Sequence, residues 1–310
     1  MMYLESHPFY PCTEAEKLAI RKEVGIKDGI FQEDIDAILD WFYKEPHLAD
    51  AVIDRDYVEK MLISTRCSRE KCKRKIDNFY RYRSYAPELI QTRIEQLSDP
   101  DFDPWSFYRQ AAIPKLFNGK RISVFQLTDP NPSNLHCEVA LRNTIMLGDL
   151  RLKYDYMLGD IWIMDLLNAT IGHVLRVNLA LMQKFTHIVQ DGIGWKLYEV
   201  HIVNASSFSQ HFVNLFKPFV KPKIMERVRF HGNVEELHEF IPKQYLPKDF
   251  GGDQPSLDEF KELYRTEIQK PLSKDYLIKC CQQVSNEQKR NSDAYNEDFI
   301  MGSFKKLDID

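Results

Sequence analysis

The chain has 310 residues, 44% of them hydrophobic and 28% charged, and a formal net charge of −4. That length admits one large domain or two small ones, and the composition is that of a soluble globular protein. The negative balance excludes a dominantly nucleic-acid-binding role. No stretch approaches the roughly 18 apolar residues of a membrane span, so any membrane contact is peripheral.

Residues 13–44 read as helical. Thr13 and Glu16 form a T-x-x-E capping box, and Ile30, Phe31, Ile35, Ile38, Leu39 and Phe42 recur at helical spacing. Pro46 ends that stretch. Two further helices are predicted, over about 54–63 and 68–85, the latter stopping before Pro87. With no strand pattern in the first third, residues 1–97 are expected to form a helical domain. Residues 98–119 are rich in Asp and Pro, end on the turn signal Asn118-Gly119, and mark the expected boundary.

Beyond it the pattern changes. Arg121–Leu127, Asp160–Leu166, Leu197–Val203 and Arg227–His231 read as buried strands, separated by helices over about 136–155, 173–191 and 206–220. Strands alternating with helices of this length predict βαβ units and a mostly parallel sheet, hence an α/β domain over 98–270. Gly251-Gly252 marks the end of the sheet, and a helix is expected over about 256–268. The extension 271–310 is expected to be partly mobile, because from Ser285 onward it is polar with few apolar anchors.

Catalytic signatures are missing. No G-x-S-x-G, H-E-x-x-H or Walker A loop occurs. Gly192-Ile193-Gly194 lacks a third glycine and follows a helix rather than a strand. Cys67 and Cys72 lack zinc-ligand spacing, Cys280 and Cys281 are adjacent, and Cys12 and Cys137 stand alone. The nine histidines do not cluster. No catalytic residues, metal or cofactor are expected. Scattered cysteines and a start without an apolar signal segment predict reduced thiols and a cytoplasmic location.

Three segments taken together resemble one family. The first is Leu39-Asp40-Trp41-Phe42-Tyr43-Lys44-Glu45-Pro46-His47-Leu48, similar to a W-x-x-x-x-P-H-L signature of insect members. The second is Asp77-Asn78-Phe79-Tyr80-Arg81-Tyr82-Arg83, followed by Pro87. The third runs from His201-Ile202-Val203-Asn204 through Phe216-Lys217-Pro218-Phe219 and Arg229-Phe230-His231-Gly232-Asn233 to Leu246-Pro247-Lys248-Asp249-Phe250-Gly251-Gly252. Their order and spacing resemble the Sec14-like (CRAL-TRIO) lipid carriers, in the branch that transports tocopherol and retinaldehyde. The resemblance implies an N-terminal helical bundle followed by a Sec14-like α/β domain with a mostly parallel sheet and a gate helix. A hydrophobic ligand would lie between sheet and gate, and the gate would open at a membrane.

Ser206–Phe219 carries an apolar stripe, Phe208, Phe212, Leu215, Phe216 and Phe219. The periodicity alone equally fits a core helix. The resemblance implies that Phe208, Phe212, Leu215 and Phe216 belong to the gate. Ile161, Ile163 and Asp165 alternate with Trp162 and Met164, so one set faces the ligand. We take Ile161 and Ile163, with Phe125 and Leu127, as the expected pocket lining. The resemblance further implies phosphoinositide binding by Lys196, Lys223 and Arg227, and membrane contact at Ile171 and Leu175. At Leu62-Ile63-Ser64-Thr65-Arg66, Thr65 stands where the family has a basic headgroup ligand. The basic run Arg69 to Lys75 reads either as a solvated face or as a surface for anionic membranes. The expected partners are a hydrophobic small molecule and a phosphoinositide-containing membrane, with no nucleic acid. The rival expectation is a phosphoinositide-sensing regulatory module.

Overall fold

Thr13 starts the first helix, as its capping box predicts. The computed structural model, which describes residues 7, 9–99, 103–205, 213, 214 and 217–291, shows both halves of the box. The Glu16 N–H donates to Thr13 Oγ1 at 3.2 Å, and the Thr13 N–H donates to the Glu16 carboxylate at 2.8 Å. Helix α1 (Glu14–Val24) stops at Gly25, whose φ of 81° is left-handed, so the stretch expected as one helix is two. Helix α2 (Asp28–Phe42) buries Phe31, Ile35, Ile38 and Phe42. They pack with Val58, Leu62, Ile76 and Leu89 of α3 (Arg55–Ser64), α4 (Arg69–Ser84) and α5 (Pro87–Ile90), and α6 (Arg93–Ser98) follows. Each such side chain withdrawn from water contributes about 1.5–3 kcal/mol.

Among the described residues five strands form one sheet in the order β1 (Tyr108–Ala112), β2 (Lys120–Leu127), β3 (Gly159–Asp165), β4 (Leu197–Val203) and β5 (Val228–Phe230). β1 pairs antiparallel with β2, and the remaining pairs are parallel. The architecture is therefore mixed α/β, with N-terminal helices ahead of a mostly parallel sheet. Strand β1 lies inside the stretch read as a boundary. Its sequence, Tyr-Arg-Gln-Ala-Ala, carries little strand propensity, and pairing to β2 supplies what composition does not. Asn118 and Gly119 have φ of 50° and 71° and sit in the turn between these strands, where two positive φ values favour this dipeptide.

Helix α7 (Cys137–Tyr154) links β2 to β3. The single helix expected over 173–191 is instead α8 (Ile171–Leu175), α9 (Leu179–His187) and a π-helical turn, Ile188–Ile193. Asn178 caps α9 by accepting the Leu181 N–H at 3.2 Å, which breaks the run. The short helix α10 (Pro222–Met225) precedes β5, and α11 (Leu257–Gln269) and α12 (Pro271–Gln282) close the domain. One sheet face is packed solid: Ile122, Val124, Ile161 and Ile163 are fully buried in a cluster with Leu150, Phe260 and Tyr264.

Buried ion pairs join the helical part to the α/β part. Arg83 of α4 and Arg93 of α6 contact Asp149 of α7 at 2.9 and 2.8 Å. Burial pushes the Asp149 carboxyl up, but the two guanidinium groups outweigh it and hold it below its ordinary range. Of the C-terminal extension expected to be partly mobile, the structure describes residues up to 291. The Ser285 and Asn286 N–H groups donate to the carbonyls of Tyr80 (3.3 Å) and His47 (2.8 Å), and Arg290 pairs with Asp77 at 2.8 Å. Residues 285–290 are thus docked on the N-terminal helices. Charged contacts hold a segment that lacks apolar anchors.

Candidate functional site

The other sheet face is not filled. Above it lie two adjoining apolar lobes of about 260 and 200 Å³ that share Phe125, Leu141, Thr144, Met164 and Met182. The larger lobe is floored by Phe125, Trp162, Met164, Val200, Ile202 and Val228, and walled by Phe185, Val189, Val213 and Ile224. Phe125 and Trp162 meet edge to face at 5.3 Å. The smaller lobe adds Leu127, Leu135, Ala140, Leu166, Ala169, Val174 and Val177.

No Lys or Arg lines either lobe among the described residues, and their polar groups are turned onto protein partners. Thr144 Oγ1 donates to the Ala140 carbonyl at 2.9 Å, and Thr186 Oγ1 donates to the Met182 carbonyl at 2.7 Å. Gln190 Nε2 donates to the Phe219 carbonyl at 2.9 Å, while its Oε1 accepts the Lys221 N–H at 3.2 Å. Such a cavity rewards an apolar guest and offers an anionic one no Lys or Arg partner among the described residues.

Of the expected pocket residues, Phe125 and Leu127 line the cavity. Ile161 and Ile163 do not: they point to the packed face, and their neighbours Trp162 and Met164 face the cavity. Strand alternation separates the two sets, and only the packing of α11 on one face tells which is which. Phe208, Phe212, Leu215 and Phe216 lie outside the described residues.

A cleft of about 400 Å³ adjoins the larger lobe, sharing Trp162, Val189, Gln190, Leu197 and Ile224 with it. Lys196, Lys223 and Arg227 are brought together there, joined by Lys221 and, from the helical part, by Arg66, Lys71, Arg74 and Lys75. Among the described residues two carboxylates line this space, and both are already paired. Asp160 is held by Arg151 at 2.9 Å, and Asp191 by Lys221 and by His187 at 3.4 Å. Burial raises the Asp191 carboxyl, but these two partners outweigh it and leave it below its ordinary range. The cleft is therefore cationic, and its chemistry suits a phosphate-bearing anion. Burial lowers Lys75, to about 8, with Lys221 and Lys223 adding repulsion. Its ammonium donates to the Gly194 carbonyl, which ties α4 to the π-turn.

Thr65 lines this cleft without charge. Its hydroxyl donates back to the Met61 and Leu62 carbonyls, at 3.0 and 3.1 Å. Arg66 lines it with a left-handed φ of 53°. Lys71, Arg74 and Lys75 come from the run read as either a solvated or a membrane-facing surface; the signal was their helical spacing, which places all three toward one side. Ile171 and Leu175 are exposed on α8, at 49% and 79%. No helix among the described residues is long and apolar enough to cross a membrane.

A mostly parallel sheet preceded by helices, with an apolar cavity on one face and a cationic cleft beside it, defines a Sec14-like lipid-binding α/β fold. Residues 118–252 match the CRAL/TRIO domain, so this part of the chain is identified as a CRAL/TRIO domain. Among named proteins it is similar to "Alpha-tocopherol transfer protein-like" of Mus musculus, 23% identical over 269 residues, which are 81% of this chain and 74% of that one. It is also similar to "Clavesin-1" of Rattus norvegicus, 28% identical over 121 residues, 39% of this chain and 33% of that one. The crystal structure of Sfh5 aligns over 86% of this chain and 98% of that chain, at 14% identity and a TM-score of 0.45.

Proposed function

We propose that this protein is a non-catalytic carrier that binds one hydrophobic ligand, of tocopherol, retinoid or other lipid type, and transfers it between membranes. It works from the cytoplasm as a peripheral membrane protein, docking on phosphoinositide through Lys196, Lys223 and Arg227. The observation that carries this reading is the shared wall. An apolar cavity without cations abuts a cationic cleft, so a membrane headgroup and a sequestered apolar molecule are held on opposite sides of Trp162, Gln190 and Ile224. The similarity to a protein named for tocopherol transfer supports the ligand class. Native mass spectrometry of protein purified from its source tests it. A stoichiometric apolar ligand is expected. An empty cavity, or phosphoinositide alone, would instead favour a phosphoinositide-sensing regulatory module.

A further inference from the structure

Helix α8 lines the cavity on one side and carries exposed apolar side chains on the other. Its inner residues His173 and Val174, with Val177 just beyond, line the smaller lobe, while Ile171 and Leu175 on the same five-residue helix point into solvent. Leu167 and Leu179, which flank it in the chain, are exposed as well, at 66% and 46%. Four of the twelve exposed large apolar side chains among the described residues thus fall within thirteen positions. A wall that is apolar toward a cavity and apolar toward solvent fits an outer phase that is itself apolar.

The wall is one short helix thick, and the side-chain hydrogen bonds that tie it to another element among the described residues run to the 129–133 loop. His173 Nδ1 accepts the Thr170 N–H at 3.1 Å, so the neutral ring carries its proton on Nε2, which donates to the Asp129 carbonyl at 3.3 Å. Arg176 donates to Ser133 Oγ at 3.3 Å. Gly172 abuts Pro132 so closely that a Cβ there would lie 2.7 Å from Pro132 Cγ. No described residue beyond Met182 lines this lobe, whereas the larger lobe is walled by residues up to Val228.

We propose that α8 is a second door of the ligand cavity, hinged against the 129–133 loop and opening the smaller lobe into the hydrocarbon of a lipid bilayer. This rests on the carrier reading above and adds a route that does not pass the segment between Asn204 and Lys217. Opening in water would expose Val174, Val177 and the lobe lining to solvent, whereas opening against bilayer hydrocarbon would not, so the bilayer favours the open state.

A cysteine pair tests the door. An ideal Cβ at Gly172 sits 3.2 Å from Pro132 Cβ, a few tenths of an ångström inside the usual disulfide separation of about 3.5–4.5 Å. The full-length Pro132→Cys/Gly172→Cys variant is loaded with a pyrene-labelled long-chain alcohol. Transfer to phosphatidylcholine/phosphatidylserine vesicles is followed with and without dithiothreitol, beside wild type treated identically. The expected result is at least tenfold slower transfer in the oxidised variant, restored by reduction, with probe affinity and vesicle flotation unchanged. Equal rates with the crosslink verified by mass spectrometry overturn the door, and so does slowing that tracks lost flotation. A second variant, Pro132→Ala/Arg176→Ala, removes loop contacts and should speed transfer at least threefold; no acceleration overturns the proposal even if the cysteine pair fails to fold. Wild type that binds no apolar probe defeats the carrier reading itself, which lock-insensitive transfer of a bound probe does not.

Discussion

Asn204 Nδ2 donates to Asp165 Oδ1 at 2.7 Å, joining the ends of β4 and β3 at the point where the chain leaves the sheet. The same carboxylate accepts Gln126 Nε2 at 2.7 Å and the Leu167 N–H at 2.9 Å. Asn204 has a left-handed φ of 53°, a conformation that costs most side chains about 1–2 kcal/mol and asparagine less. Asn204→Ala should therefore destabilise the protein by about 2 kcal/mol in urea unfolding, through strain and a lost hydrogen bond. Asn204→Gly, which tolerates the φ, should recover part of that loss. Equal effects of the two substitutions would show that backbone strain plays no part.

The cationic cleft predicts its own salt and pH behaviour. Flotation with phosphoinositide vesicles should weaken at least tenfold in Lys223→Glu/Arg227→Glu, and wild-type binding should fall as salt rises. Because burial brings Lys75 down to about 8, its charge is present at pH 7 and lost as pH rises through that value. Vesicle binding should therefore drop between pH 7 and 9, and Lys75→Met should flatten that drop. A wild type indifferent to salt and to lipid charge would rule out headgroup recognition here.

Asp191 occupies Lys221 inside this cleft. Replacing it with asparagine leaves Lys221 free for an anion, so Asp191→Asn should bind inositol phosphate several-fold more tightly in calorimetry. Unchanged affinity would mean that Lys221 takes no part in anion binding.

The docked C-terminal segment depends on Arg290. It bonds both oxygens of the buried Asp77 at 3.0 and 2.8 Å, while His47 holds Asp77 from the other side at 2.8 Å. Burial alone would raise the Asp77 carboxyl, and these two partners bring it below its ordinary range. Arg290→Ala leaves the buried Asp77 carboxylate with His47 as its remaining partner, and breaking such a buried pair costs about 3 kcal/mol. Thermal unfolding should shift down by several degrees, with Arg290→Lys intermediate because it keeps the charge and loses the fork. A change below one degree would show the segment to be energetically idle.

His201 and His231 stack with Nδ1 and Nε2 2.9 Å apart, and Glu199, Arg229, Glu236, Glu239 and Phe240 surround them. Burial lowers both rings below the ordinary histidine value, so the fold favours their neutral forms. The unfolded chain takes up these protons near pH 6.5, whereas the folded protein does so only at lower pH. Stability should be full above about pH 6.5 and decline below it, by roughly 1–2 kcal/mol at pH 5.5. His201→Gln should reduce that slope in denaturant titrations at pH 7.5 and 5.5; an unaltered slope would assign the pH effect to other groups.

What the sequence determined by itself is the set of local and periodic features. Thr13 and Glu16 placed the first helix, and Leu197–Val203 marked a strand whose limits the structure reproduces. The ordered series from His201 to Gly252 carried the family, because its spacing is a property of the chain itself. Lys196, Lys223 and Arg227 were nameable one by one for the same reason. What only the tertiary structure decided is facing and company. Whether Ile163 or Met164 meets the cavity depends on which sheet face α11 covers, and alternation is blind to that. The helix bearing Lys71, Arg74 and Lys75 is distant in sequence from Lys223, and only the packing of α4 on the π-turn brings the two basic groups into one cleft. Strand β1 and the docking of Arg290 on Asp77 arise in the same way. Their stabilising partners lie far along the chain, so neither propensity nor composition at the segment itself could announce them.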